Sequence, residues 1–428
     1  MRENPARALI LTAFLAAPAL PQPCLPVPGT GDFLLTHIPG SIPQSSPVLR
    51  LQPLTGVVTT LSVISQPAFG NWVTMDQDNA GIVLATVVRV IIPNSPPQPS
   101  PLIRWPRPGG QQTIATLPTV LQSHDLDADG TWLCALGDAN THITARSVLR
   151  VDPATGAMTT LVTNGAARGT FNALCVDGDT GDVLIGLYDD QVGGGALLRM
   201  ARGTNAITTV AGGLGRIYSI DFEPATGSCV VSRTNPVELL RVTPGGLVTT
   251  VASGLIVNAL KVHDESGNLV VAGGADVSIL TSGGTVVGTR TITGFSFTGI
   301  EIDGSRKVSG SGVLAGGQVY AVRFSFPLSP CATYVAALSG SLRPGIPLAD
   351  GRTIHLAIDP LFLLSLGGLP GFTTGFSGTL DASGGADGAI LPPPGFPAGI
   401  RLYVSAVALN PALPAGLDTA NSLGVTSQ

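Results

Sequence analysis

One pattern recurs along this chain so often that it fixes the fold class before composition is weighed. An apolar strand carrying an arginine, a tight turn and a Thr-rich strand appear as VLRLQPLTGVVTTL from Val48, SVLRVDPATGAMTTL from Ser147, ALLRMARGTNAITTV from Ala196 and ELLRVTPGGLVTTV from Glu238. Degenerate copies start at Pro101 (PLIRWPRPGGQQTIATL) and Val277 (VSILTSGGTVVGTRTI). Arg50, Arg104, Arg150, Arg199 and Arg241 mark the period, 42 to 54 residues apart. Self-similarity at such a period signals a repeat architecture.

Upstream of each copy lies a second hairpin: an apolar strand ending in an acid, a Gly turn and another apolar strand. Its versions are VTMDQDNAGIVLA from Val73, LDADGTWLCA from Leu126, LCVDGDTGDVLIG from Leu174, IDFEPATGSCVVS from Ile220, LKVHDESGNLVVA from Leu260 and IEIDGSRKVSGS from Ile300. LPVPGTGDFLLT from Leu25 fits the same template. Each repeat thus holds four short antiparallel strands, rich in the β-branched residues that half-buried strands favour. Such a unit cannot bury both faces alone, and radial stacking into a β-propeller solves the problem. The expected architecture is all-β: a seven-bladed propeller over residues 24–328, with six or eight blades as alternatives.

The hairpin, with its strand ending in Asp and turning through Gly, resembles the NHL-type and lactonase-like propeller repeats. The resemblance spans residues 24–328 and implies architecture more than activity, because such propellers serve as lactonases, lyases, ligand binders and scaffolds. In lactonase-like members a divalent ion sits on channel acids and asparagines; the full ligand set has no match here.

After Cys331 the repeat stops. Alternating stretches at Tyr334, Thr353, Phe376, Ala389 and Arg401, separated by Gly/Pro/Asp turns, predict a small β-sandwich over residues 333–428. It looks like tail domains of secreted bacterial proteins. At the other end, Arg2 and Arg7 precede the apolar run Ala8–Ala16 and the small residues Ala17-Pro18-Ala19. Residues 1–19 therefore read as a signal peptide, and the apolar run is too short for a membrane anchor. No later segment is apolar for long enough to span a bilayer. The chain is expected to be secreted, periplasmic or at the cell surface.

Only 11% of residues are charged and the net charge is −5, with no Lys/Arg run, which argues against a nucleic-acid surface. Five cysteines do not make a disulfide framework. Cys134, Cys175 and Cys229 fall in strands, where thiols behave as small hydrophobes; Cys24 and Cys331 flank the repeats, either clasped together or unpaired.

Aligning the repeats gives two columns. Just before the innermost strand stand Asn71, His124, Asn172, Tyr218, Asn258 and Thr298, polar residues that would converge at one end of a central channel as a ligand-binding ring. Three residues on, the column reads Thr74, Asp127, Cys175, Asp221, Lys261 and Glu301. Charges at a buried strand must be paired, hydrated or metal-bound, which makes Asp127, Asp221 and Glu301 candidate metal ligands and leaves Lys261 to pair with Asp221 or Glu301. Asp125-x-Asp127-x-Asp129-Gly130 matches half of a calcium loop, but Leu136 stands where the bidentate Glu belongs, and turn chemistry accounts for Asp129-Gly130. No cofactor is called for by a full motif; calcium or another divalent cation is the one these acids would take. Serine-hydrolase, CxxC, HExxH and phosphate-loop signatures are missing from the sequence.

The leading reading is a secreted, non-enzymatic binding or scaffold protein that recognises a small polar ligand, glycan or protein at the channel mouth. The alternative is a divalent-metal-dependent lactonase or lyase.

Overall fold

The structure, a computed structural model, describes the chain except for residues 1–32, 38–44, 53–56, 66–70, 79–80, 89–98, 107–111, 120, 138–145, 165–168, 190–193, 235 and 303–306. It divides into two compact units, one of residues 31–263 and 267–303, the other of residues 264–266 and 304–428.

The larger unit contains six four-stranded antiparallel sheets among the described residues. Sheet 2 runs Asn71–Asp78, Gly81–Val88, Ser100–Pro106, Gln112–Leu117, and sheets 3 to 6 repeat that meander from Leu121–Leu126, Thr170–Val176, Arg216–Glu223 and Ala259–Val262. Sheet 1 is assembled from both ends of the unit: Phe297–Ile302 pairs with Phe33–His37, which pairs with Ser45–Leu51 and then Val58–Ser65. The first strand of each sheet touches the first strand of the next, in the order 71–78, 121–126, 170–176, 216–223, 259–262, 297–302 and back to 71–78. This closed ring of inner strands is the arrangement of a β-propeller.

Seven sheets are the first expectation, with six or eight as alternatives, and among the described residues six four-stranded sheets make up the ring. The stretch at Ile300, expected to open a seventh repeat, instead supplies the inner strand of sheet 1. The strands that follow, Val308–Ser311 and Tyr320–Ser325, pair onward with Gly385–Ile390 and Thr373–Thr374. One sheet thus crosses the boundary expected between residues 328 and 333, and the two units part at residues 303–304.

Two repeated devices lock neighbouring sheets. The last hairpin of every sheet in the ring carries a β-bulge at an apolar residue of its outer strand; Ile114, Val210 and Val251 are examples. In the following sheet a turn glycine approaches the carbonyl of that bulged residue: Gly156 at Ile114, Gly246 (φ 82°) at Val210 and Gly284 at Val251. A Cβ at any of these would collide with that carbonyl, and the positive φ already excludes most side chains. The cores between sheets are apolar, built around residues such as Trp132, Phe171 and Ile217.

The smaller unit holds the four-stranded sheet just named, a five-stranded sheet centred on Thr333–Ser339 and Arg401–Leu409, and a two-stranded hairpin. Phe324 packs on Tyr334 and edge-on to Phe376, with ring centroids 5.4 and 5.9 Å away. A short helix, Pro360–Ser365, begins at Asp359, whose side chain accepts from the Phe362 N–H; sequence periodicity gave no sign of it. Cys331 is disulfide-bonded, so the unpaired alternative does not hold for it, while Cys24 lies outside the described residues. Cys134, Cys175 and Cys229 are free, buried thiols.

Candidate functional site

The inner strands of a ring present one free backbone edge each, and those edges need partners. In sheets 3 and 5 the partner is a Ser-x-Asp pair. Asp125 accepts from its own Leu126 N–H at 2.8 Å and from Val176 of sheet 4 at 2.7 Å. Asp221 does the same with Phe222 at 3.1 Å and Val262 of sheet 6 at 2.6 Å. Two residues earlier, Ser123 accepts from Leu174 N–H and Ser219 from Leu260 N–H, at 3.1 and 3.2 Å. These side chains therefore clasp one sheet to the next.

Asp76, Asp125, Cys175, Asp221, Lys261 and Glu301 occupy equivalent places in the six inner strands. Lys261 holds the centre: its Nζ lies 2.9 Å from Glu301 and 3.7 Å from Asp76. Burial alone would lower the lysine pKa, but the carboxylates of Asp76, Glu301, Asp221 and Asp125 outweigh it and hold it well above the usual value. The ammonium thus stands among the acids where a cation would be sought. Burial pushes the pKa of the Cys175 thiol well above the usual value.

At the far end of the same strands a second set of acids meets the repeated arginines. Asp127 bonds Arg150 at 2.9 Å and Arg202 of the next sheet at 2.6 Å. Asp177 pairs with Arg199 at 3.1 Å, and Glu223 accepts from Arg241 through both carboxylate oxygens at 2.7 and 2.8 Å. Asp127 therefore belongs to this strand-end set, apart from Asp221 and Glu301. Among the described residues no group of three His, Cys, Asp or Glu side chains is placed to hold a metal ion.

Between the deep acids and the start of the strands lies a polar cavity of about 70 Å³. Its walls include His124, Tyr218, Asn258 and Thr298 from the expected ligand ring, together with Gln122, Asp221 and Lys261. Gln122, Asn172, Tyr218 and Thr298 share a feature invisible in sequence: each is the extra residue of a β-bulge in its inner strand. Bulges re-aim side chains, and here they recur at one level of four sheets. Gln122 thus holds the place assigned to His124, whose imidazole lies 5.3 Å from the Trp132 ring. Asn172 accepts from the Thr170 hydroxyl at 2.7 Å and does not line the cavity. Asn258 donates to the Phe297 carbonyl at 2.9 Å. The Thr298 hydroxyl, on a residue 6% exposed, has no hydrogen-bond partner among the described residues. The side chain of Asn71 lies outside the described residues.

No protein-family model and no curated protein matches the chain. Solved structures similar to it include a nidogen–laminin complex, at 13% identity over 64% of this chain and 98% of that chain with a TM-score of 0.49. TolB from Acinetobacter baumannii is similar at 9% identity over 64% of this chain and 68% of that chain, TM-score 0.48. A calcium-binding protein from Agrobacterium tumefaciens, regucalcin, is similar at 14% identity over 69% and 93%, TM-score 0.38. β-Propeller proteins are thus among the neighbours, and likenesses this distant carry nothing about chemistry. No helix among the described residues is long and apolar enough to cross a membrane.

Proposed function

We propose that residues 31–303 form a six-bladed propeller of an exported, non-enzymatic protein that binds a small polar ligand in its channel, with residues 304–428 as an accessory β-sandwich. The observation that carries this reading is the Thr298 hydroxyl, buried without a partner on the wall of a polar cavity. A buried polar group left unsatisfied costs about 1–3 kcal/mol, a cost that a ligand hydroxyl or carbonyl relieves. Tyr218, Asn258 and the bulged Gln122 supply further donors and acceptors around it.

A metal-dependent lactonase or lyase would need Asp127, Asp221 and Glu301 free to face one ion. Arginines, backbone N–H groups and Lys261 engage them instead, and no observation favours that second reading.

Thr298→Val tests the proposal, because it removes the hydroxyl while keeping the shape. The melting temperature should hold or rise, since an unsatisfied polar group is gone. A stabilising shift produced in the wild type by one member of a panel of monosaccharides, polyols and sugar acids should disappear. A panel that shifts neither protein, or shifts both equally, would remove the cavity as the site.

A further inference from the structure

Arg216 opens the inner strand of sheet 5, two residues before Tyr218, whose side chain lines the cavity. Its guanidinium carbon lies 4.8 Å from the Tyr218 ring centroid and 5.5 Å from that of Tyr188. Each ring faces the cation, a favourable arrangement that leaves only the in-plane edges of the guanidinium for hydrogen bonding. Among the described residues its Nε has no hydrogen-bond partner and no ion pair joins Arg216 to a carboxylate. The contrast with the rest of the unit is sharp: Arg150, Arg199, Arg202, Arg233 and Arg241 all pair with acids.

The sequence separates the two signs of charge along the strand. The deep acid Asp221 stands five residues further in, ~16 Å along an extended chain, and is committed to backbone N–H groups of its own and the next sheet. A half-buried arginine with no counter-ion among the described residues, stacked on a tyrosine that lines a polar cavity, suits one chemistry. A planar carboxylate lies in the guanidinium plane and accepts two parallel hydrogen bonds.

We infer that Arg216, stacked on Tyr188 and Tyr218, is an anion subsite at the channel mouth, and that the ligand of this protein carries a carboxylate. The inference rests on the channel-binding reading above and names its ligand class. The carboxylate would sit at the guanidinium edge, and the neutral polar remainder would extend toward Thr298 and Asn258.

The test titrates the full-length chain with sodium acetate, citrate and gluconate by calorimetry, with sodium chloride and sodium sulfate at matched ionic strength as controls. At least one carboxylate should bind and the controls should not. Arg216→Met should weaken that binding by at least about tenfold. Arg216→Lys should lose most of it too, because an ammonium offers no planar fork; it also decides the matter if the Met variant does not fold by circular dichroism. Sulfate binding as tightly as the carboxylates would overturn the ligand class, and carboxylate binding undiminished in both variants would overturn the subsite. The two proposals separate cleanly. A neutral sugar that binds and is lost in Thr298→Val, with no carboxylate bound, leaves the channel reading standing and removes Arg216. A carboxylate lost with Arg216→Lys but unaffected by Thr298→Val keeps the subsite and removes Thr298 from the ligand's reach.

Discussion

The middle and the end of the inner strands use acids for different work. At the strand ends Asp127, Asp177 and Glu223 face the guanidinium groups of Arg150, Arg199 and Arg241. Midway, Asp125 and Asp221 face backbone N–H groups of the next sheet, and Glu301 and Asp76 face one lysine. Each strand-end acid meets an arginine of its own sheet, and Asp127 also one of the next, whereas Asp125 and Asp221 tie their sheets to the next through backbone N–H groups. An acid two residues further along the same face therefore exchanges backbone N–H partners for guanidinium groups.

The largest effect expected from breaking this difference comes from Lys261→Met. Glu301 and Asp76 have side chains 2% and 1% exposed, and stripping a buried pair of one partner costs about 3–5 kcal/mol. Urea unfolding of the isolated variant should show that loss, and Glu301→Gln in the same chain should restore part of it. Equal stability of wild type and variant would mean that Lys261 is not the counter-ion of the centre.

Arg241→Leu comes next. It leaves Glu223, whose side chain is 1% exposed, without its bidentate partner, a loss of about 2–3 kcal/mol. Arg150→Leu should cost less, about 1 kcal/mol, because Arg202 still holds Asp127. If the order of the two were reversed, the second arginine on Asp127 would carry no weight.

The smallest effect is in pH. Lys261 has a folded-state pKa raised above its unfolded value, so its contribution is complete below ~10.4 and is lost as pH rises through the folded value. Arginines keep their charge throughout that range. The stability gap between wild type and Lys261→Met should narrow only above about pH 10.5, whereas the gap for Arg241→Leu should stay constant. A gap for Lys261→Met that is flat across that range would contradict the pairing.

Much of this was legible in the sequence. Repeat spacing gave the four-stranded unit, and Cys175, Asp221, Lys261 and Glu301 were aligned in their true register. The first two repeats slipped by two residues, taking Thr74 and Asp127 for Asp76 and Asp125. A slip of two preserves the face of a strand, so alternation cannot detect it, and Asp76-x-Asp78 and Asp125-x-Asp127 each offer an acid at both places. The bulge at Gln122 decides the register, and a bulge leaves no mark in a single sequence. The role of the repeated arginines was missed although their partners recur beside them: each acid that ends a first strand precedes an arginine in the third. Ring closure was hidden for another reason. The similarity of the Ile300 stretch to other first strands says that it is an inner strand, and nothing local says whose.

Closure of sheet 1 by the two ends of the unit has a consequence in time. On a ribosome adding about 5–20 residues per second, the strand Phe33–His37 is made long before Phe297–Ile302, its partner. For a period on the order of tens of seconds, Leu34 and Leu35, fully buried in the finished ring, belong to a sheet with an open edge. Every nascent copy thus displays an unpaired strand until the last inner strand is made, and through that interval two copies can exchange strands.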